Sequence, residues 1–423
     1  MKLKILIQAG VALALISAVG SGYYMWQPEI AVRDNRPLTF SAESINRGAR
    51  IVQLGDCAVC HTSAKGKPMA GGLPLVTPFG TLFSTNLTPD WNTGIGSWTE
   101  EAFVRAMRRG IARDGHLLYP AFPYVHYTKM HPLDVSDAYA YLMSGDAVVA
   151  VAPNNDMMFP MNFRPLVAFW NLLFLHGGQA ESDVAQSEEL SKGRYLVEGL
   201  GHCSSCHTPL NLIGGEKTAK HFGGGVVDGW DAPALDQLAN AAIPWSKEQL
   251  VDYLRGTVAT EHGAAAGPML PVSMNLAEVP LGDVQAMATY LMSLQRPNLA
   301  KISSVNASAI TASELKGATL FAGACAGCHA DAAPMRILGQ RPELKLGSAL
   351  NADSPRNTIL TILNGIPFTG TGASHYMPAF ANSFTNSDIV DLVAFLRSQG
   401  RTPQPWPELD ETVSTLRTET PSR

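Results

Sequence analysis

Charge is scarce in this chain: only 16% of its residues are Asp, Glu, Lys or Arg, and the formal net charge is -5. Lysines and arginines are scattered among matching acids, so no basic patch is present to hold a polyanion, and nucleic acid is not an expected partner. Cysteine is scarcer still. The six cysteines fall into the pairs Cys57/Cys60, Cys203/Cys206 and Cys325/Cys328, which leaves none for a separate disulfide framework. The intervals between pairs are long, whereas structural zinc sites bring two such pairs close together in sequence. Flavin and nicotinamide fingerprints are missing as well: HFGGGVVDGW at 221–230 fails the required glycine spacing and strand-to-helix context and reads as a flexible turn. No carboxylates show a pattern specific enough for an acid/base pair.

What is present is 46% hydrophobic residues with 38 Gly and 28 Pro, a composition that suits short helices joined by many turns rather than disorder. The cysteines stand in CAVCHT (57–62), CSSCHT (203–208) and CAGCHA (325–330). A lone CxxC suits a redox dithiol, but here each copy is followed at once by a histidine. In CxxCH the two thiols can form thioethers with the vinyl groups of one haem, and the adjacent imidazole can bind the iron. Cys57, Cys60, Cys203, Cys206, Cys325 and Cys328 are thus the expected attachment points of three covalently bound haems c, with His61, His207 and His329 as iron ligands.

The flanks repeat with the motif. NRGARIVQLGDCAVCHTS (46–63), SKGRYLVEGLGHCSSCHTP (191–209) and LKGATLFAGACAGCHAD (315–331) each run a helical, glycine-containing segment into the cysteines. Each repeat closes on a second helical pattern: VSDAYAYLMS (135–144), LGDVQAMATYLMSL (281–294) and NSDIVDLVAFLRSQ (386–399), with capping and acidic residues near its start. The expected fold is mostly α, with three tandem haem domains at 42–150, 188–298 and 312–402. Between them lie an apolar segment and linker at 151–187 and a linker at 299–311, and a tail follows at 403–423.

Residues 5–26 contain no charged side chain. As a helix they would span about 33 Å, enough for a bilayer core, with Tyr23, Tyr24 and Trp26 at the interface and Lys2 and Lys4 on the cytoplasmic side. The alternative is a cleaved signal peptide ending near Ala18-Val19-Gly20. Residues 1–27 are an expected anchor or signal segment, and both readings export the remainder. Export suits thioether haem, which bacteria attach on the outer side of the inner membrane.

The sixth iron ligands must come from elsewhere in each domain. SHYMPAF (374–380) offers Met377 on a proline turn, with His375 nearby. GPMLPVSM (267–274) offers Met269, with Met274 and His262 as alternatives. In the first domain, GHLLYPAFPYVHYTKM (115–130) has Phe122 where a methionine would suit, and phenylalanine cannot ligate iron. His126 is the expected ligand there, and Met130 is the alternative. A His/His haem would have a lower potential than a His/Met one. MMFPMNFRPLVAFWNLLFLHGG (157–178) is too short and interrupted to span a membrane. Its apolar residues can serve packing, or can dock a membrane surface or a partner through Phe163, Leu166, Trp170, Leu173 and Phe174.

With these motifs in hand, the sequence resembles the triple-haem cytochrome c subunits of membrane-bound bacterial dehydrogenases. FSTNLTPDWNTGIGSWTEEAFVRAMRRG (83–110), LYPAFPYVHYTKM (118–130), AYAYL (138–142) and the Met377 loop carry the resemblance beyond CxxCH itself. It implies an electron-transfer subunit without an organic-substrate site of its own, passing electrons from a catalytic partner through three haems to ubiquinone on the periplasmic side of the inner membrane. Phe122 and FPMNFRPLVAFWNLLFL (159–175) are most similar to companions of molybdenum hydroxylases. The implied partners are therefore a large molybdopterin-containing aldehyde dehydrogenase subunit and a small iron-sulfur subunit. The alternatives are the cytochrome subunit of a PQQ alcohol or FAD gluconate or sugar dehydrogenase, and a free-standing multihaem peroxidase, which would need an open iron position. An adaptor that merely docks a dehydrogenase to membrane would not account for three redox motifs.

Overall fold

The computed structural model describes residues 25–178, 187–296, 310–338, 341–368 and 376–419. The expected N-terminal anchor lies outside the described residues except at its last positions. His375 lies outside them too, as do residues 179–186 and 299–309 of the expected connecting segments. Among the described residues no helix is long and apolar enough to cross a membrane. Helices dominate, as expected, and the sheets among the described residues are small: one of three strands and one of two. The chain divides into two compact units, the first formed by residues up to 185 with 195–202, the second by 186–194 with 203–423.

In the first unit, α1 (Ala42–Leu54) starts at Ser41, whose hydroxyl caps the Ser44 N–H, and buries Gly48, Ile51 and Val52 at helical spacing. It runs into the short motif helix α2 (Cys57–His61). Then come the antiparallel strands β1 (Pro74–Thr77) and β2 (Gly80–Phe83), α3 (Glu100–Arg109), the single turn α4 (Tyr124–Tyr127) and α5 (Pro132–Met143). Strand β3 (Asp156–Met157) extends the sheet beside β2, and α6 (Val167–Phe174) follows. Helices α1 and α5 cross at Gly48, where a Cβ would stand 2.0 Å from the Asp137 carbonyl oxygen and 2.7 Å from the Tyr141 Cβ. Only glycine permits that approach.

The second unit repeats this crossing twice. α7 (Glu188–Tyr195) precedes the motif helix α8 (Ser204–His207), strands β4 (Gly225–Val227) and β5 (Trp230–Ala232), α9 (Lys247–Leu254), α10 (Met269–Glu278) and α11 (Leu281–Ser293). After them come α12 (Ala312–Ala324), the motif helix α13 (Ala326–His329), α14 (Arg356–Asn364), α15 (Asn386–Ser398) and α16 (Leu409–Glu419). A Cβ on Gly193 of α7 would stand 2.0 Å from the Ala286 carbonyl of α11, and one on Gly317 of α12 would stand 2.0 Å from the Asp391 carbonyl of α15. The three helix pairs expected from the sequence thus share one contact geometry. The core built on α14 and α15 buries Ile359, Leu363, Ile389 and Leu392, and takes in Trp406, Val413 and Leu416 from the expected tail. At about 1.5–3 kcal/mol for each large side chain fully removed from water, those three make the tail part of the core.

The apolar segment after the first domain packs with one side only. Val167 and Ala168 are buried against Ile111 and Leu117, with Met25 and Tyr119 at the edge. Arg164 stacks over Tyr119 at 4.6 Å and donates to the Leu117 carbonyl at 3.0 Å. Trp170 and Phe174 turn toward each other, half-buried, while Phe163, Phe169, Leu172 and Leu173 are exposed. The free apolar face is therefore centred on Phe169, Leu172 and Leu173 rather than on Trp170 and Phe174.

Candidate functional site

Each CxxCH folds as one short helical turn at the foot of an entering helix: α2 after α1, α8 after α7 and its π-helical continuation Leu196–Leu200, and α13 after α12. The histidine closes the turn in all three motifs. In the first two motifs the histidine is held at two points by a β-hairpin. Gly71 N–H donates to the His61 carbonyl at 2.8 Å, and His61 Nδ1 lies 2.6 Å from the Thr85 carbonyl beyond β2. Gly224 N–H donates to the His207 carbonyl at 2.9 Å, and His207 Nδ1 lies 2.7 Å from the Pro233 carbonyl beyond β5. A carbonyl oxygen only accepts, so Nδ1 carries the proton in both rings and the Nε2 lone pair is left for a metal. The glycine-rich stretch read as a flexible turn is this second hairpin. Its Gly224 has φ +86°, a conformation glycine adopts freely. Sequence reasoning missed both hairpins, though the paired strands around Asp228-Gly229 carry a two-residue turn signal.

The third motif differs. Among the described residues His329 Nδ1 meets no hydrogen-bond acceptor. Burial first, and then the charge of Arg341, hold its pKa below the ordinary imidazole value. Arg341 also donates to the Tyr376 carbonyl at 2.8 Å, beside Met377. Burial likewise lowers His61 and His207, and neutral imidazole is the form that binds iron.

None of the six cysteines is in a disulfide. Burial pushes the Cys57 thiol up to about 12 and Cys325 up to about 11, so these sulfurs sit in surroundings that favour an uncharged group such as a thioether over a thiolate. Among the described residues no cluster of three or more His, Cys, Asp or Glu is placed to hold a bare metal ion. Paired cysteines followed at once by an imidazole, with Nε2 left free by the Nδ1 contacts of His61 and His207, fit a covalently attached haem.

The distal candidates are less uniform. Met377 forms a bridge with Ile366, its N–H donating to the Ile366 carbonyl at 3.0 Å, and with Cys325 it edges the core of α14 and α15. Met269 opens α10, half-buried, and Met274 is half-buried in the same helix. His262 is buried, its ring stacked on Trp245 with centroids 3.6 Å apart and its Nδ1 3.0 Å from Ser348 Oγ. Burial pushes its pKa down to about 4. In the first unit His126 is buried with Nδ1 3.2 Å from the Glu198 carbonyl, and Met130 is fully buried. Between them Tyr127 reaches the motif, donating from its hydroxyl to the Gly55 carbonyl at 2.9 Å. Phe122 lies against Tyr124 and Tyr127, with centroids 6.1 and 5.6 Å away.

Helix pairs crossing at glycine, motif turns and backbone-held histidines define a c-type cytochrome. Comparison with known proteins extends this. The family described as "Cytochrome C oxidase, cbb3-type, subunit III" matches residues 312–396, and such a domain implies covalently bound haem c. A nicotinate dehydrogenase subunit of Pseudomonas putida is 44% identical over 93% of this chain, which spans 33% of that protein's length. The gluconate 2-dehydrogenase cytochrome c subunit of Pantoea cypripedii is 35% identical, covering 84% of this chain and 85% of its own. The cytochrome c subunit of the quinone alcohol dehydrogenase of Gluconobacter oxydans is 33% identical, covering 84% and 78%. The chain belongs to this family of dehydrogenase cytochrome c subunits.

Proposed function

We propose that the chain carries three haems c and is the electron relay of a membrane-bound, periplasm-facing dehydrogenase, taking electrons from a catalytic subunit and delivering them to ubiquinone. The observation that carries this reading is the repeated pinning of His61 and His207 by a backbone carbonyl, next to paired cysteines. Each haem supplies one-electron Fe(III)/Fe(II) chemistry. The chain's own part would be to hold the porphyrin through thioethers from Cys57, Cys60, Cys203, Cys206, Cys325 and Cys328, and its iron through His61, His207 and His329. The distal ligands proposed are Met269, Met377 and, in the first unit, His126, with Met130 as its competitor. Mass analysis of protein matured in an exporting host tests this directly. Three haem additions are expected, and alkylatable thiols at all six cysteines would refute the reading.

The catalytic partner we propose is a molybdopterin aldehyde dehydrogenase subunit with a small iron-sulfur subunit. The sequence around Phe122 and 159–175 supports this choice. A second reading takes an N-heterocyclic acid as the substrate class, and the 44% identity to a nicotinate dehydrogenase subunit supports it. Copurification with cofactor analysis separates these from the rest: molybdenum with iron-sulfur is expected, while PQQ or FAD would move the chain to the alcohol or sugar branch. Reduction of the purified complex by aldehydes or by nicotinate then distinguishes the two. A peroxidase would instead show a stable high-spin, peroxide-reactive haem in optical and EPR spectra. Attachment to the inner membrane is supported by the uncharged run 5–26, long enough as a helix for a bilayer core.

A further inference from the structure

The tip of the β4–β5 hairpin and the start of α14 carry a set of contacts that attachment of haem does not require. The base of the hairpin grips the second motif, through Gly224 on the His207 carbonyl at 2.9 Å and Pro233 on His207 Nδ1 at 2.7 Å. Its tip is gripped from the other side. The Asn357 carboxamide pairs with the backbone of Asp231 as an added strand would: the Asp231 N–H donates to Oδ1 at 2.9 Å, and Nδ2 donates to the Asp231 carbonyl at 2.8 Å. Arg356 donates to the Gly229 carbonyl at 2.9 Å.

Between those bonds stands Trp230. On one side its indole lies against the backbone of Gly267, where a Cβ would be 2.4 Å from the ring, and Gly267 is two residues before Met269. On the other it packs on the core of α14 and α15, whose edge also holds Cys325 and Met377. A second link joins the same parts, His262 Nδ1 to Ser348 Oγ at 3.0 Å and Ser348 N–H to the His262 carbonyl at 3.1 Å. Bonds to main chain on the hairpin side, with an aromatic wedge between them, leave little freedom to slide.

We infer that this hairpin is a positioning strut between the second and third haem sites, with Trp230, Arg356 and Asn357 as positioning residues that fix the separation across which an electron passes. The inference rests on the relay reading above. Transfer between fixed centres slows as their separation grows, and a site keeps its geometry only when the contacts around it hold it in place. A strut that ties the proximal histidine and the Met269 turn of one site to the core of the next removes that slack.

The test uses the full-length haem-loaded protein and the variants Asn357→Ala, Trp230→Ala and Trp230→Phe. Haem content is read by mass, iron–iron separations in the oxidised protein by pulsed EPR, and electron equilibration by transient photoreduction. Asn357→Ala and Trp230→Ala should keep the full haem complement and its optical spectrum, broaden one iron–iron distance distribution toward longer separations, and slow one equilibration phase in step with that lengthening. Trp230→Phe should recover part of the loss. If Trp230→Ala does not fold, Asn357→Ala and Arg356→Gln, which remove only polar contacts, carry the measurement. Unchanged distance distributions and rates in the folded variants would overturn the strut. Absence of haem from the second or third motif of the parent protein would overturn the relay reading instead, and mass analysis detects that before any variant is compared.

Discussion

Single residues set limits that the chain cannot relax. Gly48, Gly193 and Gly317 each stand where a Cβ would fall 2.0 Å from a carbonyl of the partner helix, so alanine must push the helices apart. Gly317→Ala should destabilise the second unit by about 1–3 kcal/mol, the usual cost of overpacking, read as a lower denaturant midpoint with the haems still attached. Arg341 acts on charge rather than shape. Its guanidinium influences His329 and bonds the Tyr376 carbonyl beside Met377, and a nearby cation favours the reduced, less positive iron. On the proposed three-haem reading, Arg341→Gln should therefore lower the potential of the haem at the third motif, by on the order of tens of millivolts, in a spectroelectrochemical titration, with the other two unchanged. An unaltered third potential would mean that the guanidinium field does not reach the iron.

At the scale of elements, α1 and α5 are joined by a polar lock as well as by the glycine. The Asp137 carboxylate, nearly buried, accepts from Ser44 and from Arg47 Nε at 2.6 Å. Burial raises its pKa, but the bonds from Arg47 and Ser44 outweigh burial and leave it below the ordinary carboxylate value. A depressed pKa contributes stability that is complete above the unfolded value of about 3.9 and is lost as pH falls through the folded value. The first helix pair should thus loosen below about pH 4. Asp137→Asn should flatten that acid limb in unfolding curves and cost about 1–2 kcal/mol at neutral pH, since Arg47 stays partly solvated. These helices were legible because their signals are local: apolar spacing, a cap and a glycine within a dozen residues. The motif cysteines and histidines were legible for the same reason. The hairpins were not, because Gly224 and Gly225 read as slack until Pro233 and His207 close them. Asn357 and Trp230 were invisible too, since Asn357 lies 126 residues from the backbone it pairs with. His126 remained one choice of two for a related reason: its ring meets the Glu198 carbonyl, 72 residues on.

Across the whole molecule, the residues proposed for membrane attachment and those proposed for electron carriage are different ones. The uncharged run leads into Met25, which joins the cluster of Ile111, Leu117, Val167 and Ala168, and the exposed Phe169, Leu172 and Leu173 belong to that helix. The motif cysteines lie elsewhere, at the feet of α1, α7 and α12. A chain shortened to begin at Gln27 behind a cleavable export signal keeps every ligand and all three glycine crossings. On the proposed membrane-bound, quinone-reducing role, it should mature with its full haem mass and still be reduced by the catalytic subunit in solution, yet leave the membrane fraction and lose about tenfold or more of its quinone reduction, as expected when a tethered encounter becomes a bimolecular one. Replacing Leu172 and Leu173 by serine in the shortened chain should remove residual vesicle binding without changing haem spectra, because their side chains face outward. Haem loss on shortening would show instead that the N-terminal run supports the first site, and the division between anchoring and carriage would fail.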